Sequence, residues 1–157
     1  MDPSIDCRKD REVFAAIVFL IYTLGMSFEE KIKILVVEDS DVIRKNIGSS
    51  LRTLGYVNIT GLSNGKAALE FLETNKVDLI VSDWYMEPVD GISLIKNLRE
   101  SPIHKNVTFV MLSGETAKEK VMSALKSGID GYIVKPFTLN MLGIKIHEAL
   151  KKRGKVK

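Results

Sequence analysis

Four short stretches carry the groups that could do chemistry. VVEDS holds Glu38 and Asp39 with Asp41 close behind, VSDW holds Asp83, MLSGE holds Ser113, and YIVKPF holds Lys135. Each polar group stands directly after an apolar run. Taken singly they have ordinary explanations: Asp83, Asp39 or Asp41 as a turn residue or helix cap, Ser113 as a turn hydroxyl, Lys135 as a surface cation. Taken together they describe a site. Glu38, Asp39 and Asp83 brought within a few ångströms would raise one another's pKa and destabilise the empty cluster, which a divalent cation relieves. A few oxygen ligands completed by water suit Mg²⁺ better than zinc. An ionised Asp83 is then a nucleophile toward a phosphoryl group, with Lys135 as a second positive charge and Ser113 as a hydroxyl donor to the phosphoryl oxygens. Gly114, beside that hydroxyl, leaves room for the group.

Positioning them requires a scaffold, and the chain spells one out. From Lys31 onward, short apolar runs alternate with stretches of helical period five times, the pattern of an α/β domain. Strands are expected at Lys33 to Val37, Asn58 to Thr60, Leu79 to Ser82, Thr108 to Leu112 and Tyr132 to Val134. KILVV, LIV and FVML are continuous rather than alternating, as parallel strands buried on both faces should be. The second strand is short and more polar, so an edge position is expected. Ile43, Ile47, Leu51 and Leu54 mark a first helix that ends at Gly55; Leu69 and Leu72 mark a second. Leu94, Ile95 and Leu98 mark a third that stops before Pro102. Thr116 and Glu119 fit a capping box opening a fourth that closes at Gly128, and a fifth runs from about Leu139 to Lys151. Right-handed crossovers wind such units into one sheet with helices on both faces, and ligands bind beyond the C-terminal strand ends where strand order reverses. All the polar groups above fall on that edge.

Composition sets the bounds. With 157 residues, 45% apolar and 27% charged, the chain matches one ordinary globular domain. Cys7 is the only cysteine, so no intrachain disulfide forms, and no Cys/His cluster has zinc spacing. The net charge of +3 comes from a basic end, Lys151 to Lys157, and the body is slightly acidic. The basic end KKRGKVK, residues 151–157, of which 152–157 form a tail beyond the domain, has no aromatic for base stacking; it reads as solvated cations that complement a helix C-terminus rather than as a nucleic-acid element.

Residues 1–30 do not match the rest. VFAAIVFLIYTLGM, residues 13–26, is too short to span a bilayer comfortably, and its mixed-sign flank is atypical of a signal peptide. It reads as a weak membrane anchor, a helix packed on the domain, or sequence upstream of a natural start at Met26. The last is the reading adopted, and membrane contact is expected only if residues 13–26 are an anchor.

VVEDS, VSDW followed by VDG, MLSGE and YIVKPF, in this order and spacing, resemble the response-regulator receiver family over residues 31–151, most of all its single-domain chemotaxis members. The resemblance implies a flavodoxin-like doubly wound sheet of five parallel strands in the order 2-1-3-4-5. It implies Asp83 as phosphoacceptor, Asp39 as a direct Mg²⁺ ligand, Glu38 acting on the metal through water, and the Tyr85 carbonyl as a further ligand. Ser113 takes the switch hydroxyl's place, Tyr132 that of the aromatic that swings inward on activation, and Lys135-Pro136 that of a cis peptide bond. Tyr85 and Glu115 occupy positions that tune access to the phosphoryl group. The chain departs from the family's common Asp-x-x-Met-Pro loop, because Glu87 separates Met86 from Pro88.

The expected function is a stand-alone cytoplasmic receiver that takes a phosphoryl group from a histidine kinase or phosphotransfer protein. It signals through a protein partner on the face of the fourth helix, fifth strand and fifth helix, in chemotaxis, as a phosphorelay intermediate or in general stress signalling. It would act on no substrate but itself. Rivals fit less well. A flavodoxin-like flavin carrier needs a phosphate cradle where Glu38, Asp39 and Asp41 would repel the phosphate. A phosphatase with an aspartyl nucleophile wants a second Asp where Tyr85 stands. A pseudo-receiver that binds partners unphosphorylated is the third rival.

Overall fold

The structure, a computed structural model, describes residues 31–156. The expectations for residues 1–30 lie outside the described residues, and no described helix is long and apolar enough to cross a membrane.

Strands and helices alternate along the chain as β1 (Lys33–Val37), α1 (Asp41–Thr53), β2 (Asn58–Leu62), α2 (Gly65–Leu72), β3 (Leu79–Asp83), α3 (Gly91–Glu100), β4 (Thr108–Ser113), α4 (Lys118–Lys126), β5 (Gly131–Val134) and α5 (Leu139–Lys152). All strand pairs are parallel and the order is β2-β1-β3-β4-β5, with the more polar β2 at an edge. Several strands run further than their apolar cores. β3 extends to include Asp83 and β4 to include Ser113, so both polar groups are held by ladder hydrogen bonds rather than by the loops after them.

The pleat sorts the core into two layers. Ile34, Val36, Leu79, Val81, Val110 and Leu112 pack on one face beneath Ile47 and Leu51 of α1 and Leu142, Ile146 and Leu150 of α5. Leu35, Val37, Ile80, Phe109 and Met111 pack on the other beneath Leu72 of α2, Leu94 and Leu98 of α3 and Ala124 of α4. Burial on both faces is why β1, β3 and β4 read as continuous apolar runs.

Helix ends follow local chemistry, with one correction. Ser40, Asn64, Asp90 and Thr138 each cap a helix by accepting a backbone N–H three residues on. Neither Asp39 nor Asp41 is the cap of α1. The Thr116/Glu119 capping box does not form: α4 begins at Lys118 after Ala117, which has no side-chain cap bond. Glu115 takes that task instead, its Oε1 accepting from Thr116 N at 3.1 Å and Ala117 N at 2.9 Å. Gly55 and Gly128, at φ +97° and +100°, close α1 and α4 in the left-handed conformation expected of C′ glycines.

The basic C-terminus is likewise not a solvated tail from residue 152. α5 continues through Lys152, Arg153 Nε donates to Asp130 Oδ1 at 2.7 Å, Lys155 Nζ lies 3.7 Å from Asp78 Oδ1, and Val156 packs against the core. Buried Asp130 explains the difference. It also receives Arg99 Nη2 at 3.1 Å and Phe109 N at 2.9 Å, and such a carboxylate needs its cations close.

Candidate functional site

Strand order reverses between β1 and β3, and the acids emerge there. Glu38, Asp39 and Asp83 each offer a carboxylate oxygen, and these oxygens lie within 4.8 Å of one another. Glu38 follows β1 and is almost wholly buried, Asp83 ends β3 nearly buried, and Asp39 is exposed. Lys135, just past β5, reaches across the strand ends. Its Nζ donates to Glu38 Oε2 at 2.9 Å and to Asp83 Oδ1 at 3.1 Å. The remaining bonds fix the carboxylates in place. Glu38 Oε1 accepts from Ser40 N at 3.1 Å, and Asp83 Oδ1 from Trp84 N at 2.9 Å.

Electrostatics follow from this crowding. Burial pushes the Glu38 carboxyl above the ordinary carboxylate value; Lys135 opposes that rise, while Asp39 and Asp83 add to it. Burial pulls Lys135 down, but its bond to Glu38 and the charge of Asp83 outweigh the loss, and the net shift is upward. Lys135 therefore stays a cation, and the cluster is poised to take up more positive charge.

Ser113 stands one residue beyond Leu112, the register partner of Asp83. Its buried Oγ accepts from Glu115 N at 3.1 Å, and its carbonyl accepts Lys135 N at 2.8 Å. The mouth of the site is spanned by a second set of contacts. Tyr85, two residues after Asp83 and half exposed, stacks on Trp84 at 5.2 Å and donates its hydroxyl to Glu115 Oε2 at 3.2 Å. Lys120 Nζ meets the same oxygen at 3.0 Å. Tyr132 is half-buried, edge-on to Trp84 at 6.4 Å, and donates its hydroxyl to the Glu115 carbonyl at 2.8 Å. Glu115 thus ties the loop after β3 to the loop after β4 and to β5. Its carboxyl is held down to about 2, first by the Ala117 N–H and then by Lys120.

Lys135-Pro136 is cis, as the resemblance implies, and so is Glu87-Pro88, which the sequence reading did not foresee. Two further residues were missed. Lys120 carried no signal, being one lysine among several on a helix. Gly91 did: it stands in the VDG motif, yet only the structure shows its task. A Cβ there would lie 2.4 Å from the Asp83 carbonyl oxygen, so a side chain would displace the strand end that carries Asp83.

Comparison with known proteins agrees with this geometry. The response regulator receiver domain family matches residues 34–147. Chemotaxis protein CheY-3 of Vibrio cholerae is 36% identical over 117 residues, covering 74% of this chain and 90% of its own. The structure of the chemotaxis response regulator CheY4 of Vibrio cholerae superposes with a TM-score of 0.71 at 30% identity, over 76% of this chain and 98% of its own. The receiver domain of a sensor histidine kinase from Pseudomonas aeruginosa PAO1, which holds a magnesium ion coordinated in its active site cleft, gives 0.68 at 27% identity, over 78% and 98%.

Proposed function

We propose, because the chain belongs to the response regulator receiver domain family, that it takes a phosphoryl group on Asp83 and signals through phosphorylation-dependent protein binding. The observation that carries this reading is the bridge of Lys135 between Glu38 and Asp83 beside the triad of carboxylates. Glu38, Asp39 and Asp83, with the Tyr85 carbonyl, would hold Mg²⁺, which supplies positive charge to the phosphoryl oxygens when bound. The oxygen-only donor set fits that ion, and the magnesium held by the Pseudomonas receiver supports the choice.

In the transfer, an Asp83 carboxylate oxygen attacks phosphorus, the bond to the donor's leaving group breaks, and the acyl phosphate of Asp83 forms. Lys135 neutralises the incoming charge and Ser113 turns its hydroxyl toward a phosphoryl oxygen, giving up the Glu115 N–H it now accepts. Because Tyr132 bonds to the Glu115 carbonyl, a shift of this loop is felt at β5. The output face is that of α4, β5 and α5, where Met122, Leu125, Val134, Met141 and Ile144 stand exposed and await a protein partner. The Tyr85 ring shields the acyl phosphate from water. The domain is cytoplasmic, receives its phosphoryl group from a histidine kinase or phosphotransfer protein, and acts on itself alone. Chemotaxis is the pathway favoured, on the names of its relatives.

Incubation with acetyl phosphate and Mg²⁺, followed by intact-mass measurement, tests this. One added phosphoryl mass, absent in Asp83→Asn and without Mg²⁺, supports it; an unchanged wild-type mass overturns it in favour of a scaffold that binds partners unphosphorylated.

A further inference from the structure

Given the receiver reading above, on which this rests, we propose that Arg44 is a positioning residue for the Mg²⁺ ligands: its guanidinium locks the peptide that joins Glu38 to Asp39. Arg44 closes the first turn of α1, its N–H donating to the Ser40 carbonyl at 2.8 Å. A cation there faces the positive end of the helix dipole, so the stability of α1 gives no reason for an arginine. The side chain is nevertheless drawn inward, 20% exposed against 74% for Asp41 beside it. Its Nη1 donates to the Glu38 carbonyl oxygen at 2.7 Å, and its Nη2 to the Asp41 carboxylate.

The peptide between Glu38 and Asp39 is one rigid plane, so holding its carbonyl constrains the Cα atoms on both sides, from which the two acidic side chains leave. The Glu38 N–H is held as well, by the Leu62 carbonyl at 3.0 Å. Lys135 and the Ser40 N–H fix the Glu38 carboxylate directly, and the locked main chain carries that order on to exposed Asp39. The edge strand leaves room for the arrangement. A Cβ at Gly61, level with Val36 in the ladder, would stand 3.2 Å from Arg44 Cδ and 3.3 Å from its Cγ, so the arginine stem lies against bare glycine. Two effects of Arg44 oppose each other. As a positive charge near three carboxylates it would weaken Mg²⁺ binding, and as the lock on their loop it strengthens it. Pairing with Asp41 offsets the charge, which leaves the lock as the larger effect. The planar fork also aims two N–H groups at two fixed acceptors, which a lysine does not reproduce.

Mg²⁺ titration of the full chain, followed by the fluorescence of Trp84, the only tryptophan and the neighbour of Asp83, tests this role. Arg44→Gln should raise the Mg²⁺ concentration at half-saturation by about tenfold, the low end for groups that orient metal ligands from outside the coordination shell. The double variant Arg44→Gln, Asp41→Asn removes the pair without changing net charge and should show a loss of the same order, while Arg44→Lys should recover only part of it. Excess Mg²⁺ should bring acetyl phosphate labelling of these variants back toward the wild-type rate, so that the loss lies in the Mg²⁺ requirement rather than in the maximal rate. Should circular dichroism show Arg44→Gln unfolded, Gly61→Val carries the test, since it keeps every charge and crowds the arginine stem; it should weaken Mg²⁺ binding, and wild-type binding would overturn the role. Tighter binding by Arg44→Gln, or binding by the double variant as tight as wild type, overturns the role of Arg44 and leaves the receiver reading standing. A wild-type chain that takes up no Mg²⁺ overturns both.

Discussion

Lys135 and Glu38 meet across 97 residues of sequence, Nζ to Oε2 at 2.9 Å, with the Glu38 carboxylate almost wholly buried. This contact closes the sheet edge from β5 to β1 and makes Lys135 the counter-charge of the cluster. Lys135→Met should therefore destabilise the Mg²⁺-free protein by about 1–3 kcal/mol, since Glu38 is left buried without its cation. Saturating Mg²⁺ should restore part of that loss, as a second source of positive charge. Urea unfolding with and without Mg²⁺ checks both; equal stability of variant and wild type in metal-free buffer would count against the bridge.

Gly91 and Gly114 offer an internal contrast. At Gly91 a Cβ would stand 2.4 Å from the Asp83 carbonyl oxygen, whereas at Gly114 it would meet nothing within 4 Å. Gly91→Ala is expected to cost about 1–3 kcal/mol or more through overpacking against rigid backbone, and to slow phosphorylation of Asp83 by displacing it. Gly114→Ala should leave stability within roughly 0.5 kcal/mol of wild type. Thermal melts and acetyl phosphate kinetics on the pair discriminate, and equal losses in both would remove the close-approach explanation.

Tyr85 is held over the site by stacking on Trp84 and by its bond to Glu115. Removing the ring opens the acyl phosphate to water, so phosphorylated Tyr85→Ala should decay several-fold faster than wild type, while Tyr85→Phe, which keeps the ring, should fall between them. Decay of the alanine variant no faster than wild type would reject the shielding role.

Glu115 sets an acid limit. Its carboxyl, ordinarily near 4.5, is lowered to about 2 by the Ala117 N–H and Lys120. A depressed carboxylate stabilises the fold above the ordinary value and loses that contribution as pH falls through the depressed one. The tie between the loops after β3 and β4 should therefore survive at pH 4 and fail near pH 2. Carboxyl ¹³C shifts of Glu115 report this directly, and a midpoint near 4.5 would show that the bonds at Glu115 do not persist in solution. Lys120→Ala should move the midpoint upward.

Much of this molecule was legible in one dimension. Short continuous apolar runs that alternate with stretches of helical period read as strands buried on both faces, and the four-residue spacing of Ile47 and Leu51, Leu94 and Leu98, and Leu142 and Ile146 on their helices follows from the same need to cover the sheet. The strand-end acids were legible because a carboxylate directly after such a run has no apolar rationale. What the sequence could not carry is distance between segments far apart in the chain. That Asp130, in an unremarkable Gly-Ile-Asp-Gly turn, gathers Arg99 and Arg153, that Glu115 displaces Thr116 as the group satisfying the N–H donors before α4, and that Gly91 touches the Asp83 carbonyl all depend on where separate segments come to rest. Residue types and their order determined the elements and the chemistry available; packing alone decided which charges meet, because burial and a few ångströms of separation set their energy.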